Sequence, residues 1–178
     1  MRQELVSRLV ALALVALPAA ACAQRIPLSQ HGTVTQRVGT TDIQISYNRP
    51  VARGRELFGG IVPWGRRWHP GADSATTITF SAPVTVQGHD LHAGRYTLWT
   101  IPERAPEPWT VIFNKGTGVW HTNYPGEAQD ALRVTAAAEE GQQMEVLTFY
   151  FPVVAADSAV LRLHWGETIV PLVIKTRP

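Results

Sequence analysis

The chain reads as all-β, an antiparallel β-sandwich or jelly-roll-like fold with one long ordered loop region. Three observations predict this. Short segments alternate polar and apolar residues with a period of two, β-branched and aromatic residues dominate them, and turn-forming residues recur between them.

Residues 42–47 (Asp-Ile-Gln-Ile-Ser-Tyr) alternate as a half-buried strand should, and residues 77–80 and 84–86 repeat the pattern. So do residues 161–165 and, less strictly, 96–101. Residues 109–113 and 146–151 are more continuously apolar, which suits central strands covered on both faces. Reversals are expected at Gly88-His89-Asp90, His92-Ala93-Gly94, Pro125-Gly126, Glu140-Gly141 and Trp165-Gly166-Glu167. Helix signals are weak, with room for a turn or two over residues 126–132. Residues 49–75 form the longest stretch without a strand pattern. Its aromatics Phe58, Trp64 and Trp68 predict an ordered loop.

Residues 1–23 read as a signal peptide preceding a single domain over 24–178. Arg2 and Arg8 give a positive start, residues 9–17 are an apolar run, and small residues follow Pro18. The run is shorter than the roughly 20 residues of a membrane-spanning helix. The chain is therefore expected to be exported, periplasmic or secreted, without a transmembrane span. Cleavage after Ala23 gives a soluble product. Lipidation at Cys22 is the alternative, since Ala19-Ala20-Ala21-Cys22 resembles a lipobox with Ala19 where leucine is usual. Cys22 is the only cysteine, so the domain must be held by its core rather than by disulfides.

The formal charge is +2, a near balance that gives no support for nucleic-acid binding. Its distribution is uneven. Residues 49–67 hold five arginines and one acid, a local +4, whereas residues 68–178 hold seven bases and eleven acids, a local −4.

The loop also carries a resemblance. Tyr47-Asn48-Arg49-Pro50, Gly54-Arg55, Phe58-Gly59, Val62-Pro63-Trp64-Gly65, Trp68 and the run from Gly71 to Thr76 resemble the DUF2911 family, a group of bacterial exported proteins. Matches continue through residues 93–102 and 109–114. The resemblance implies a β-rich periplasmic or surface domain and no particular reaction. His69 stands where the family tends to have arginine, and Asp73-Ser74 where it tends to have Asn-Glu. Ligand preference is therefore not carried over from relatives.

Chemistry is best sought in the same loop. Arg49, Arg53 and Arg55 present planar forks of donors suited to carboxylate, phosphate or sulfate groups. The competing role is structural, with the guanidinium groups serving buried backbone carbonyls. Trp64 and Trp68 flank Gly65-Arg66-Arg67 and would shape a pocket or anchor the loop. His69 with Asp73 as orienting carboxylate is the candidate for a general base, although neither a Gly-x-Ser-x-Gly elbow nor a catalytic cysteine accompanies it. His89 and His92 lack a recognisable third ligand, so no metal is expected. No cofactor motif occurs. The leading expectation is a non-catalytic exported β-sandwich that binds a small polar or anionic ligand, or an envelope protein, through Arg49, Arg53, Arg55, Trp64, Trp68, His69 and Asp73. The alternatives are an envelope hydrolase using His69 and Asp73, and a structural or assembly module with no ligand.

Overall fold

A computed structural model describes residues 26–120 and 122–176. The expected leader, its cleavage site and Cys22 lie outside the described residues. Ten strands form two antiparallel sheets. In chain order they are β1 (Gln30–Val38), β2 (Thr41–Arg49), β3 (Thr77–Phe80), β4 (Val84–Val86), β5 (His89–Leu91), β6 (Gly94–Ile101), β7 (Trp109–Asn114), β8 (Asp130–Ala136), β9 (Glu139–Val154) and β10 (Ser158–Thr176). One sheet has the order β1-β2-β3-β6-β7-β8 and the other β5-β4-β10-β9. They face each other as a sandwich, with Ile43, Ile78, Phe80 and Phe113 meeting Leu147, Leu161 and Ile174 in one core.

Alternation decides which way each side chain points. In β2, Thr41, Ile43, Ile45 and Tyr47 are buried, whereas Gln44 is exposed and Asp42, Ser46 and Asn48 are half-buried. The polar set therefore lines the outer face of the six-stranded sheet. β1 joins β2 in a hairpin pairing Val38 with Thr41, and Gly39 takes the left-handed conformation the tight turn needs (φ 56°). The outer face is not all solvated. Trp99 of β6 lies under Tyr124, with ring centroids 5.3 Å apart, and His69 packs against the same indole. This cover explains why residues 96–100 are buried throughout.

Three sequence expectations are corrected. Glu140-Gly141 and Trp165-Gly166-Glu167 are not reversals: both lie inside the long strands β9 and β10, where the pairing register shifts in bulges around Gly166. Gly166 has φ 61°, the conformation a bulge asks for. His89 and Asp90 begin β5, and the turn sits one step earlier at Gln87 and Gly88 (φ 50° and 82°). Over residues 126–132 the short turn expected there is a 3-10 segment, Glu127–Gln129, and β8 starts directly after it at Asp130.

Proline placement agrees with the ladders. Pro171 falls in β10 between the span paired with β9 and the span paired with β4, where a missing N–H breaks no bond. The loop over residues 50–76 is ordered by the sheets it touches. Val51 bridges Val146 of β9, flanked by Ala52 N–H to the Glu145 carbonyl (2.8 Å) and Leu147 N–H to the Pro50 carbonyl (2.9 Å). Trp68 exchanges both backbone bonds with Thr100, each 2.7 Å.

Candidate functional site

The loop builds one wall of a pocket of about 620 Å³. Its construction starts at a tight turn over Ala52, Arg53, Gly54 and Arg55. Arg53 and Gly54 both have positive φ (54° and 66°), and Arg55 N–H closes the turn on the Ala52 carbonyl at 3.2 Å. The Glu145 carboxylate accepts the Arg53 N–H at 2.6 Å, fixing the turn to β9. Farther along, Ile61 and Val62 return over Glu56 and Leu57 through bonds of 3.1 and 2.8 Å. The rest of the lining comes from residues 26–29, Trp68, Gly71, Ala72, Asp73 and Trp165.

An aromatic cluster supports the pocket. Trp68 stacks on Trp165 with ring planes 12° apart and centroids at 5.9 Å. Phe58 sits edge-on to both and to Trp109. Trp165 Nε1–H donates to the Glu145 carbonyl at 3.3 Å, so its ring is held from β9 as well. Trp68, half-buried and backed by the buried Trp165, gives the pocket a flat apolar wall.

The five arginines of the basic stretch separate by what they touch. Arg49 is structural: its Nε donates to the Leu147 carbonyl (3.2 Å) and its Nη2 to Thr148 Oγ1 (2.8 Å). Arg67 pairs with Glu127 at 3.3 Å and lies over the Tyr124 ring at 3.8 Å. Glu127 is shared with Arg133, whose own bond to Asp130 raises its affinity for its proton. Arg55 is divided. Nε and Nη2 donate to the Ala52 and Val51 carbonyls at 2.8 and 2.6 Å, and Nη1 has no partner among the described residues. Arg53 is exposed, and among the described residues its side chain makes one long bond, Nη2 to the Leu28 carbonyl at 3.5 Å. Arg66 is exposed as well.

Of the seven residues expected to form a site, Arg53, Arg55, Trp68 and Asp73 line this pocket, and Arg49, Trp64 and His69 do not. Trp64 instead packs on Phe58, with the Arg104 guanidinium over its ring. His69 is 2% exposed, and its Nε2 accepts the Thr76 backbone N–H. A ring nitrogen occupied in that way, inside the core, supplies no base to an open cleft. The hydrolase expectation for His69 and Asp73 required the opposite arrangement. His89 and His92 are exposed, and among the described residues no three His, Cys, Asp or Glu side chains are placed to hold a metal.

Sequence reasoning missed Trp165 and the segment over residues 26–29. The first had a signal, since a glycine directly after a strand aromatic marks a bulge that re-aims a side chain. The second had none, because Ile26 and Leu28 become pocket lining only through where β1 begins.

A family model described as a protein of unknown function, DUF2911, matches residues 29–174. The chain belongs to the DUF2911 family. The match takes in both sheets, the loop and most of the pocket lining of this DUF2911 domain. No curated protein and no solved structure matches the chain. Among the described residues of this DUF2911 protein, no helix is long and apolar enough to cross a membrane.

Proposed function

We propose that the chain is an exported binding protein whose site is the 620 Å³ pocket and whose ligand is a small anion with a flat or apolar body. The observation that carries this reading is Arg53. Its guanidinium lines the pocket with nearly all of its donors uncommitted among the described residues, and Arg55, which lines the same pocket, has its Nη1 unpartnered among them too. A carboxylate, phosphate or sulfate offers the planar acceptor pair that such forks match. Trp68, stacked on the buried Trp165, gives the ligand body an apolar wall, and Asp73 adds one carboxylate that would favour a donor group elsewhere on it. The leader-like residues 1–23 support export.

The competing structural module draws support from Arg49, and from the half of Arg55 that serves the loop's own carbonyls. A thermal-shift screen of organic acids, phosphorylated compounds and glycans separates the two. A ligand at 100 times its Kd adds about 2.7 kcal/mol of stability, a shift of several degrees. The expected result is such a shift in the wild type and its loss in the Arg53→Ala, Arg55→Ala double variant. A screen in which nothing stabilises the wild type, or in which the double variant responds equally, refutes the pocket as a binding site.

A further inference from the structure

The geometry points to a second site: Ser46, His31 and Asn48 form an acyl-transfer triad that hydrolyses short-chain esters on the outer face of the six-stranded sheet. It is independent of the pocket at Arg53.

The sheet register assembles the three side chains. His31 of β1 pairs directly with Asn48 of β2, and Ser46 lies diagonally one step away, so all three share the outer face. Ser46 Oγ and His31 Nε2 are 3.2 Å apart. On the far side of the ring, His31 Nδ1 is 3.0 Å from Asn48 Oδ1. The amide oxygen accepts only, so it fixes the proton on Nδ1 and turns the Nε2 lone pair toward the serine hydroxyl. Hydroxyl, imidazole and orienting oxygen in hydrogen-bond sequence define a nucleophile, a base and a positioning residue, whatever their order in the chain.

The three residues also share a cavity. They line a pocket of about 230 Å³ together with Ser74, Thr77 and Arg95. Its size suits a short acyl group. Arg95 is exposed and donates one bond, Nη2 to Thr77 Oγ1 at 3.4 Å. Its remaining donors have no partner among the described residues and are placed to stabilise an oxyanion formed in the same cavity.

The reaction needs only ester and water. Ser46 Oγ bonds to the acyl carbon as its proton passes to His31 Nε2. The carbon–oxygen bond to the leaving alcohol then breaks, and the departing oxygen takes that proton. Water attacks the acyl-serine, gives its proton to Nε2 and releases the acid, after which Nε2 returns the proton to Ser46 Oγ. The products are one acid and one alcohol.

The test combines turnover with covalent labelling. p-Nitrophenyl acetate is the substrate and a fluorophosphonate the label. The purified wild type is expected to hydrolyse the ester, with losses of at least about 100-fold in Ser46→Ala and His31→Gln, the usual scale of a lost nucleophile or general base. One fluorophosphonate adduct is expected, on the peptide carrying Ser46. Asn48→Ala is expected to lower kcat with KM unchanged, and Asn48→Asp to restore it, a pattern that loss of packing does not give. No ester turnover, wild-type turnover in Ser46→Ala, or labelling absent or at another residue overturns the proposal. Were a variant to fail to fold, the adduct site on the wild type decides alone.

Discussion

Replacing the loop arginines one at a time by alanine tests whether they divide into structural and ligand-facing groups. Arg49→Ala removes two charge-assisted bonds, at 3.2 and 2.8 Å, from a half-buried position between β2 and β9. Such bonds contribute about 1.5–3 kcal/mol each when intact. The first is long, and Thr148 Oγ1 keeps its own bond to the Val146 carbonyl (2.7 Å), so the expected total is roughly 2–4 kcal/mol. At roughly 3 °C per kcal/mol for a domain of this size, the melting midpoint falls by about 6–12 °C. Arg55→Ala loses two bonds from an exposed side chain, and the buried Ala52 carbonyl keeps the Arg55 N–H at 3.2 Å, so about 1–2 kcal/mol is expected. Arg53→Ala gives up one 3.5 Å bond and should stay within about 0.5 kcal/mol of wild type. Arg53→Gly should gain about 1 kcal/mol by relieving the positive φ. Urea unfolding followed by tryptophan fluorescence reads all four. The order Arg49, then Arg55, then Arg53 is the prediction. If Arg53→Ala costs as much as Arg49→Ala, the division between the two groups is wrong.

Two further substitutions address the support of the pocket. Phe58→Ala empties the centre of the cluster formed with Trp64, Trp68, Trp109 and Trp165; as Phe58 is only half-buried, a loss of roughly 2–4 kcal/mol is expected in urea unfolding, and a loss under 1 kcal/mol would mean the ring does not anchor the loop. Gly166→Ala would place a Cβ 2.8 Å from Leu57 Cδ1 at a residue with φ 61°, so backbone strain and overpacking together should cost about 2–4 kcal/mol in the same assay, whereas a neutral effect would remove the bulge as the device that holds Trp165 in place.

Strands with one buried and one wet face could be read directly, because the period of two is written in their composition. Residues 42–47, 77–80 and 84–86 are of that kind and reappear in β2, β3 and β4. β1 escaped notice because Val34 and Val38 are its only apolar β-branched residues, too few to mark a buried face. β8 was hidden by a sequence that also suits a helical turn. Gly166 misleads for a physical reason: a bulge and a reversal ask for the same backbone freedom, and only the pairing on either side tells them apart, whereas Gly141 is needed for a close approach, since a Cβ there would run into Ile169 Cδ1. For the pocket, the arginine excess could be counted, but which guanidinium had been consumed by the fold could not. Arg49 and Arg53 look alike in a sequence and differ only in what β9 brings to them. His69 illustrates the converse, since a histidine serving as a buried acceptor for Thr76 carries no mark separating it from a reactive one. The Ser46, His31 and Asn48 constellation depends on strand register, which no local pattern encodes.

The clasp of Val51 on Val146 has a consequence for solution behaviour. β9 is 16 residues long and has β10 on only one side. A flank of that length, left bare, would offer its unmet amides to any second copy of the chain and invite filament growth. Residues 50–52 occupy the middle of that flank, and Pro152 removes a donor near its far end. The segment that carries Arg53 to the pocket thus also occupies the part of that edge where a second copy would dock.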